Sequence, residues 1–217
     1  MKKENLKNFL AAIFTLFAFL LWTAAVLFID VEPIGPWDSA VGLAAVNQFF
    51  HNLTGVNMTL YVVTDWLGLV PIMVATGFGV VGLVQWIKRK HIGRVDYSIL
   101  ILGGFYIVTV AAYILFEEVV INYRPILING YLEASYPSST TLLVTCVMPT
   151  AVMQFNSRIK TNALRRFVAC SIIAFVAFMV IGRLVSGVHW LSDIVGGGLL
   201  SAGLVFTYRF FVNLKEK

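Results

Sequence analysis

A chain of 217 residues that is 59% hydrophobic and only 12% charged, with a mean hydropathy of +0.85, falls outside the composition of soluble globular domains. The net charge of +5 calls for no nucleic-acid partner, because basic loops facing an anionic inner leaflet account for it. Two cysteines make no disulfide framework, and Cys146 and Cys170, each inside an apolar run, read as buried packing residues.

A bilayer demands about 20 mostly apolar residues per helical span. Six stretches are candidates, in chain order Phe9 to Ile29, Leu60 to Ile87, Tyr97 to Phe116, Thr140 to Phe155, Phe167 to Val185 and Leu191 to Phe211, the fourth being short and containing Pro149. The first follows Lys2, Lys3 and Lys7 as a signal peptide would, but its apolar run is too long and no small-residue cleavage site follows, so it is expected to stay as a span. Between spans one and two, Ser39 to Gly55 alternates apolar and polar residues at helical spacing, which predicts an amphipathic helix lying at the interface, with His51 a residue without chemistry there. The expected fold is therefore all-α: one membrane domain over residues 1–217, a bundle of six transmembrane helices with an interfacial helix.

Orientation follows from the basic residues. All but two of the 16 Lys and Arg residues fall before span one, between spans two and three, between four and five, or at the close of the chain from Arg209 on. With six alternating spans these regions share one side, so both termini are expected in the cytoplasm. The two exceptions, Arg124 and Arg183, sit on the other side among acidic residues, and arginine near a membrane is costly unless it is paired or used.

Three short polar constellations gather at that outer side: "EEVVINYRP" (Glu117 to Pro125), "YPSSTT" (Tyr136 to Thr141) and "GRLVSGVHWLSD" (Gly182 to Asp193). His189 and Asp193 are four apart, so on a helix they would share a face, the carboxylate fixing one imidazole nitrogen and freeing the other to attack. Arg124 and Arg183 offer planar forks for phosphate oxygens, and Ser138 with the N–H groups opening span four adds donors. The implied target is a phosphoryl group. Other residues read as structural: most tryptophans form an interfacial belt, Trp190 borders the pocket, and Gly196 to Gly198 permits close helix packing.

The pattern resembles the type 2 phosphatidic acid phosphatase (PAP2) family of membrane lipid phosphatases, whose motifs run K-x6-R-P, P-S-G-H and S-R-x5-H-x3-D. Arg124-Pro125, Pro137-Ser138 and Arg183, His189 and Asp193 match in order and spacing. The resemblance implies an all-helical bundle with no metal and no other cofactor, His189 as the nucleophile forming a phosphohistidine, Asp193 as its orienting partner, and Arg124, Ser138, Ser139 and Arg183 around the phosphate. Four family positions differ: Glu117 stands for the first-motif lysine, Ser139 and Thr140 for the glycine and histidine of the second motif, and Gly182 for the serine of the third.

The missing histidine is the family's general acid, a group worth about 10²–10⁴ in rate. Its loss matters least when the leaving group is itself a phosphate, so a polyprenyl diphosphate is the favoured substrate, cleaved at the outer face of a bacterial plasma membrane. The alternative is an impaired PAP2-fold protein that binds lipid phosphate or serves as a transporter or accessory subunit. A transporter without enzyme ancestry ranks last, since the charges lie mainly at one surface and no inverted repeat is visible.

Overall fold

A computed structural model of the chain describes residues 3–215, so Lys2 and Lys217, used above for orientation, lie outside the described residues. The described part is built of α1 (Lys3–Phe28), α2 (Ala44–Thr54), α3 (Met58–Leu67), α4 (Leu69–Arg89), α5 (Tyr97–Glu118), α6 (Ser139–Arg158), α7 (Asn162–Val185) and α8 (Leu191–Leu214). Five segments among these residues are long and apolar enough to cross a membrane: α1, α3 with α4, α5, α7 and α8. Their outward faces carry Phe14, Phe28, Ile107 and Phe167, each 70% or more exposed, which lipid accepts and water does not. The protein is an integral membrane bundle.

Two predicted spans take a different form. The second is two helices broken at Gly68, because Pro71 has no N–H for the carbonyl of Leu67 and its ring crowds that carbonyl. The fourth, α6, is not among the five apolar segments. It runs through the middle of the bundle against α4, α5, α7 and α8, with Leu142, Val144, Cys146, Met148, Thr150 and Ala151 buried around its girth. A helix walled by protein needs no lipid-compatible surface, so it can carry threonines.

α8 lies closely along α1, an approach that Gly203 permits: a Cβ there would stand 2.5 Å from Leu16. One core cluster joins α1, α5, α6 and α8 around Phe19, Leu102, Phe105, Leu142 and Tyr208, and a second joins α6 and α7 around Val144, Met148 and Met179. Cys146 is buried as expected, but Cys170 is exposed on the outer surface of α7, because an apolar run on a lipid-facing helix is not evidence of burial. The interfacial helix is α2, packed on α8 through its buried Ala44 and Asn47 while Phe49 and Leu53 stay exposed.

Candidate active site

The ends of α5, α6, α7 and α8 meet a loop, residues 119–138, that folds back on itself as a short irregular hairpin. Tyr123 bridges Ala134 and Ile128 bridges Tyr131, around a turn in which Asn129 (φ 50°) and Gly130 (φ 82°) take the left-handed backbone that Asn-Gly supplies. Within this pairing the Arg124 N–H donates to the Glu133 carbonyl (3.1 Å) and the Ser135 N–H to the Asn122 carbonyl (2.9 Å). The hairpin thereby sets Arg124 beside Glu133, whose Oε2 lies 3.1 Å from the guanidinium Nε, and aims Ser135 at the start of α8.

There Ser135 stands between the two residues expected to touch directly. His189 Nδ1 and Asp193 Oδ2 are 3.7 Å apart, whereas Ser135 Oγ is 3.1 Å from Nδ1 and donates a short hydrogen bond to Oδ2. The expectation of a shared helix face fails because His189 precedes α8: Trp190 is the N-cap, and Asp193 Oδ2 accepts its N–H at 2.8 Å. Asp193 Oδ1 accepts from Ser192 Oγ (3.3 Å), itself held by Asn47 Nδ2 (2.9 Å) and Asn122 Nδ2 (3.4 Å). A carboxylate only accepts, so the single hydroxyl hydrogen of Ser135 goes to Asp193, and the bond to His189 must be donated by Nδ1–H. Nε2 then carries the lone pair, and it has no partner although His189 is almost fully buried. Burial, reinforced by the charge of Arg124, holds the imidazole neutral, with its pKa pushed down to about 4.

The second arginine comes from the last turn of α7. Gly182, where the family has serine, lets α3 approach: a Cβ there would sit 2.8 Å from the Thr64 side chain. That contact carries Tyr61 and Asp65 to Arg183. Asp65 Oδ1 accepts from Nη2 at 3.0 Å, Thr140 Oγ1 accepts from the same nitrogen at 2.5 Å, and the Tyr61 ring lies under both guanidinium groups, 5.0 Å from Arg183 Cζ and 5.8 Å from Arg124 Cζ. Yet Nε and Nη1 of Arg183 and Nη1 of Arg124 are buried without partners. The adjoining loop is fixed by Gly187 (φ +68°), where a Cβ would strike the Gly55 carbonyl at 1.9 Å.

These groups border a cavity of about 1010 Å³ whose wall includes Asp65, Glu117, Arg124, Glu133, Ser139, Thr140 and Arg183. Its other walls, Leu69, Ile72, Val110 and Leu143, are apolar and belong to α4, α5 and α6. A second void of about 10 Å³, lined by Glu117, Ser135 and Ser139, shares several residues with it, which brings the serine relay beside the cavity. His189 and Asp193 are not part of the larger wall. Ser138 is fully buried, and its hydroxyl caps α6 by accepting the Thr141 N–H at 3.4 Å, so Ser139 and Thr140 face the cavity in its stead.

Residues 98–216 match the family model described as PAP2 superfamily. The chain belongs to the PAP2 superfamily. Its fold is similar to the crystal structure of the first transmembrane PAP2 type phosphatidylglycerolphosphate phosphatase from Bacillus subtilis, with a TM-score of 0.62 at 16% identity, over 94% of this chain and 97% of that one. A sequence comparison with curated proteins gives no match. The seven residues carrying the PAP2 resemblance here, Arg124, Pro125, Pro137, Ser138, Arg183, His189 and Asp193, thus sit in a PAP2 chain at the start of α6, the end of α7, the start of α8 and the loops that lead into them.

Sequence reasoning missed Tyr61, Asp65, Glu133, Ser135, Asn47 and Asn122. Asn129-Gly130 signals the hairpin that positions Glu133 and Ser135, and Asp65 is a lone carboxylate inside an apolar segment, a signal in itself. His51 is also less inert than expected: its ring packs at a tilt against Trp190, centroids 5.4 Å apart, and its Nδ1 is buried without a partner. Gly196 and Gly197 pack against Tyr136 and the Ser138 to Thr141 turn, whereas Gly198 faces open space. Trp190, 3% exposed, is tied to the site by its Nε1 bond to the Tyr123 carbonyl (2.8 Å).

Proposed function

We propose that the protein is a lipid phosphatase that cleaves a lipid phosphate or diphosphate, a polyprenyl diphosphate before others, through a phosphohistidine on His189. The observation that carries this reading is the set of unpartnered buried nitrogens at one end of the bundle: His189 Nε2, Arg124 Nη1, and Arg183 Nε and Nη1. Buried donors go unpaired at a cost unless a ligand completes them, and a tetrahedral phosphate is the ligand that two guanidinium forks fit.

In the reaction the Nε2 lone pair attacks phosphorus while the two arginines and the first N–H groups of α6 hold its oxygens. The bond to the leaving oxygen breaks, and the positive charge left on the ring is balanced by Asp193 through Ser135. Water then attacks the phosphohistidine, the P–N bond breaks, and inorganic phosphate and neutral imidazole are regenerated. Thr140, already engaged by Arg183, offers no acid. A leaving phosphate needs none, which supports a diphosphate as substrate.

The basic ends of α4 and α6 and the start of α7 lie at the opposite end from the site, which supports an outer-facing site in a bacterial plasma membrane. The test is phosphate release by purified protein from a polyprenyl diphosphate and from phosphatidic acid, with His189→Ala as control. Release from the diphosphate, lost in His189→Ala, is expected. A second reading, a protein that binds lipid phosphate without turnover, is favoured by Glu117 and Thr140 in place of the family's lysine and histidine. Binding of both lipids with release from neither would establish it.

A further inference from the structure

Threonines inside the helices of this bundle spend their hydroxyl hydrogen on the helix itself. Thr15, Thr64, Thr109, Thr150 and Thr207 each donate to the carbonyl four residues back, at 2.7 to 3.0 Å. Thr140 has no such carbonyl, because it is the second residue of α6 and Tyr136, four before it, precedes the helix. Its Oγ1 instead accepts from Arg183 Nη2 at 2.5 Å, and among the described residues that is the hydroxyl's only hydrogen bond. A guanidinium donates and never accepts, so the hydrogen of Thr140 remains free. Both hydrogens of Nη2 are spent, one on Thr140 and the other on Asp65 Oδ1 at 3.0 Å, and this nitrogen has none left for a ligand.

Thr140 and Arg183 border the same cavity. There Arg183, its side chain 2% exposed, keeps Nε and Nη1 without partners, and the threonine hydrogen is a further donor beside them. We propose that Thr140 contacts the bound phosphate: its hydroxyl, oriented by Arg183 as Asp65 holds that guanidinium in place, donates a hydrogen bond to a phosphoryl oxygen of the lipid. The proton stays on the threonine throughout, so this is donation to charge and not acid catalysis. An oxygen that already accepts from a cation is the stronger donor, and a fixed donor is worth more to an anion in a largely apolar cavity than in water. Arg183 thereby serves the phosphate twice, directly through Nε and Nη1 and indirectly through the hydroxyl that Nη2 turns. The inference rests on the phosphate-binding reading above and gives a use to a residue which that reading leaves idle.

The test is equilibrium binding of inorganic phosphate to the full-length protein in detergent, which needs no turnover, alongside phosphate release from a polyprenyl diphosphate. Thr140→Val keeps the branched shape and removes the hydroxyl. It is expected to weaken phosphate binding and lower kcat/KM by about tenfold, the scale of one charge-assisted hydrogen bond, with the thermal midpoint little changed. Thr140→Ser, which keeps the hydroxyl, is expected to recover most of that loss. In an Arg183→Lys background Thr140→Val is expected still to weaken binding severalfold, because the contact with phosphate is the threonine's own. No further loss in that background would show that Thr140 only holds Arg183, and would overturn the inference. Phosphate binding that Thr140→Val leaves unaltered, or that Thr140→Val and Thr140→Ser weaken alike, also overturns it, and each of these results leaves the phosphatase reading standing. Unaltered protein that binds phosphate but releases none overturns that reading alone, and protein that does neither overturns both.

Discussion

The two ends of the bundle use the same chemistry to opposite effect. At one end Asp96, just before α5, takes Arg89 Nη1 at 2.9 Å and Gln85 Nε2 at 2.8 Å, with Arg158 at 3.8 Å, and the three charged side chains are a third or more exposed. At the other end Arg124 and Arg183 are buried, hold one carboxylate each, and keep nitrogens that nothing satisfies. The first is a closed network whose arginines can also turn to water. The second is open where openness is most costly, and in a folded protein that marks a place for a ligand.

The comparison is broken most severely at His189. Replacing it with alanine is expected to lower phosphate release by three orders of magnitude or about that, the usual scale for a lost nucleophile, while Arg158→Ala at the closed end leaves the rate unchanged. Arg183→Lys comes next. Lysine keeps the charge but loses the fork that spans Asp65, Thr140 and the phosphate, and a fall of about 10²-fold in kcat/KM is expected. Release assays on the three variants, with detergent-extracted yield as a check on folding, separate the ends. A loss in Arg158→Ala equal to that in Arg183→Lys would erase the distinction.

Ser135 sharpens the same contrast more finely. As the bridge between His189 Nδ1 and Asp193, it is a positioning residue rather than one that touches substrate. Ser135→Ala is expected to lower kcat by about tenfold to a hundredfold with little change in KM, because tautomer control is lost and phosphate contacts are kept. Ser135→Thr, which retains the hydroxyl, is expected to recover part of that loss. A rise in KM together with the fall in kcat, unrecovered by threonine, would show that the serine only packs.

How far such a site was legible depends on where its residues lie. The motif residues Arg124, Arg183, His189 and Asp193 stood out because each is ionisable in an apolar chain, and hydropathy alone located α1, α5, α7 and α8, although α1 begins at Lys3 and α7 at Asn162, ahead of the expected Phe9 and Phe167. Periodicity cannot say where a helix starts in three dimensions, so His189 and Asp193 were read as sharing a helix face when the N-cap at Trp190 falls between them. Ser135 and Glu133 carry no signal of their own. Only the hairpin register, set by Asn129-Gly130, gives them meaning, and register is a property of pairing rather than composition. Asp65 reaches Arg183 because Gly182 lets α3 close on α7, a coupling between residues over a hundred positions apart.

Acid separates the two ends with the smallest effects. His189 is neutral in the folded protein with its pKa lowered from 6.5 to about 4, chiefly by burial. The unfolded chain therefore binds more protons in that window, and stability falls as the pH drops from about 6.5 to about 4. Asp96 is also held below its ordinary value, first by the Arg89 hydrogen bond, so its contribution is present above the usual carboxylate range and is lost only as the pH falls through its lower folded pKa. The two losses occupy successive windows. Asp96→Asn should flatten the lower one alone, and by little, since a half-exposed pair contributes about 1 kcal/mol or less. His189→Gln should flatten the upper one. Thermal midpoints recorded from pH 7 to pH 3 on both variants read this directly; if Asp96→Asn altered the upper window, the ends of the bundle would be coupled and their separation into a closed and an open network would fail.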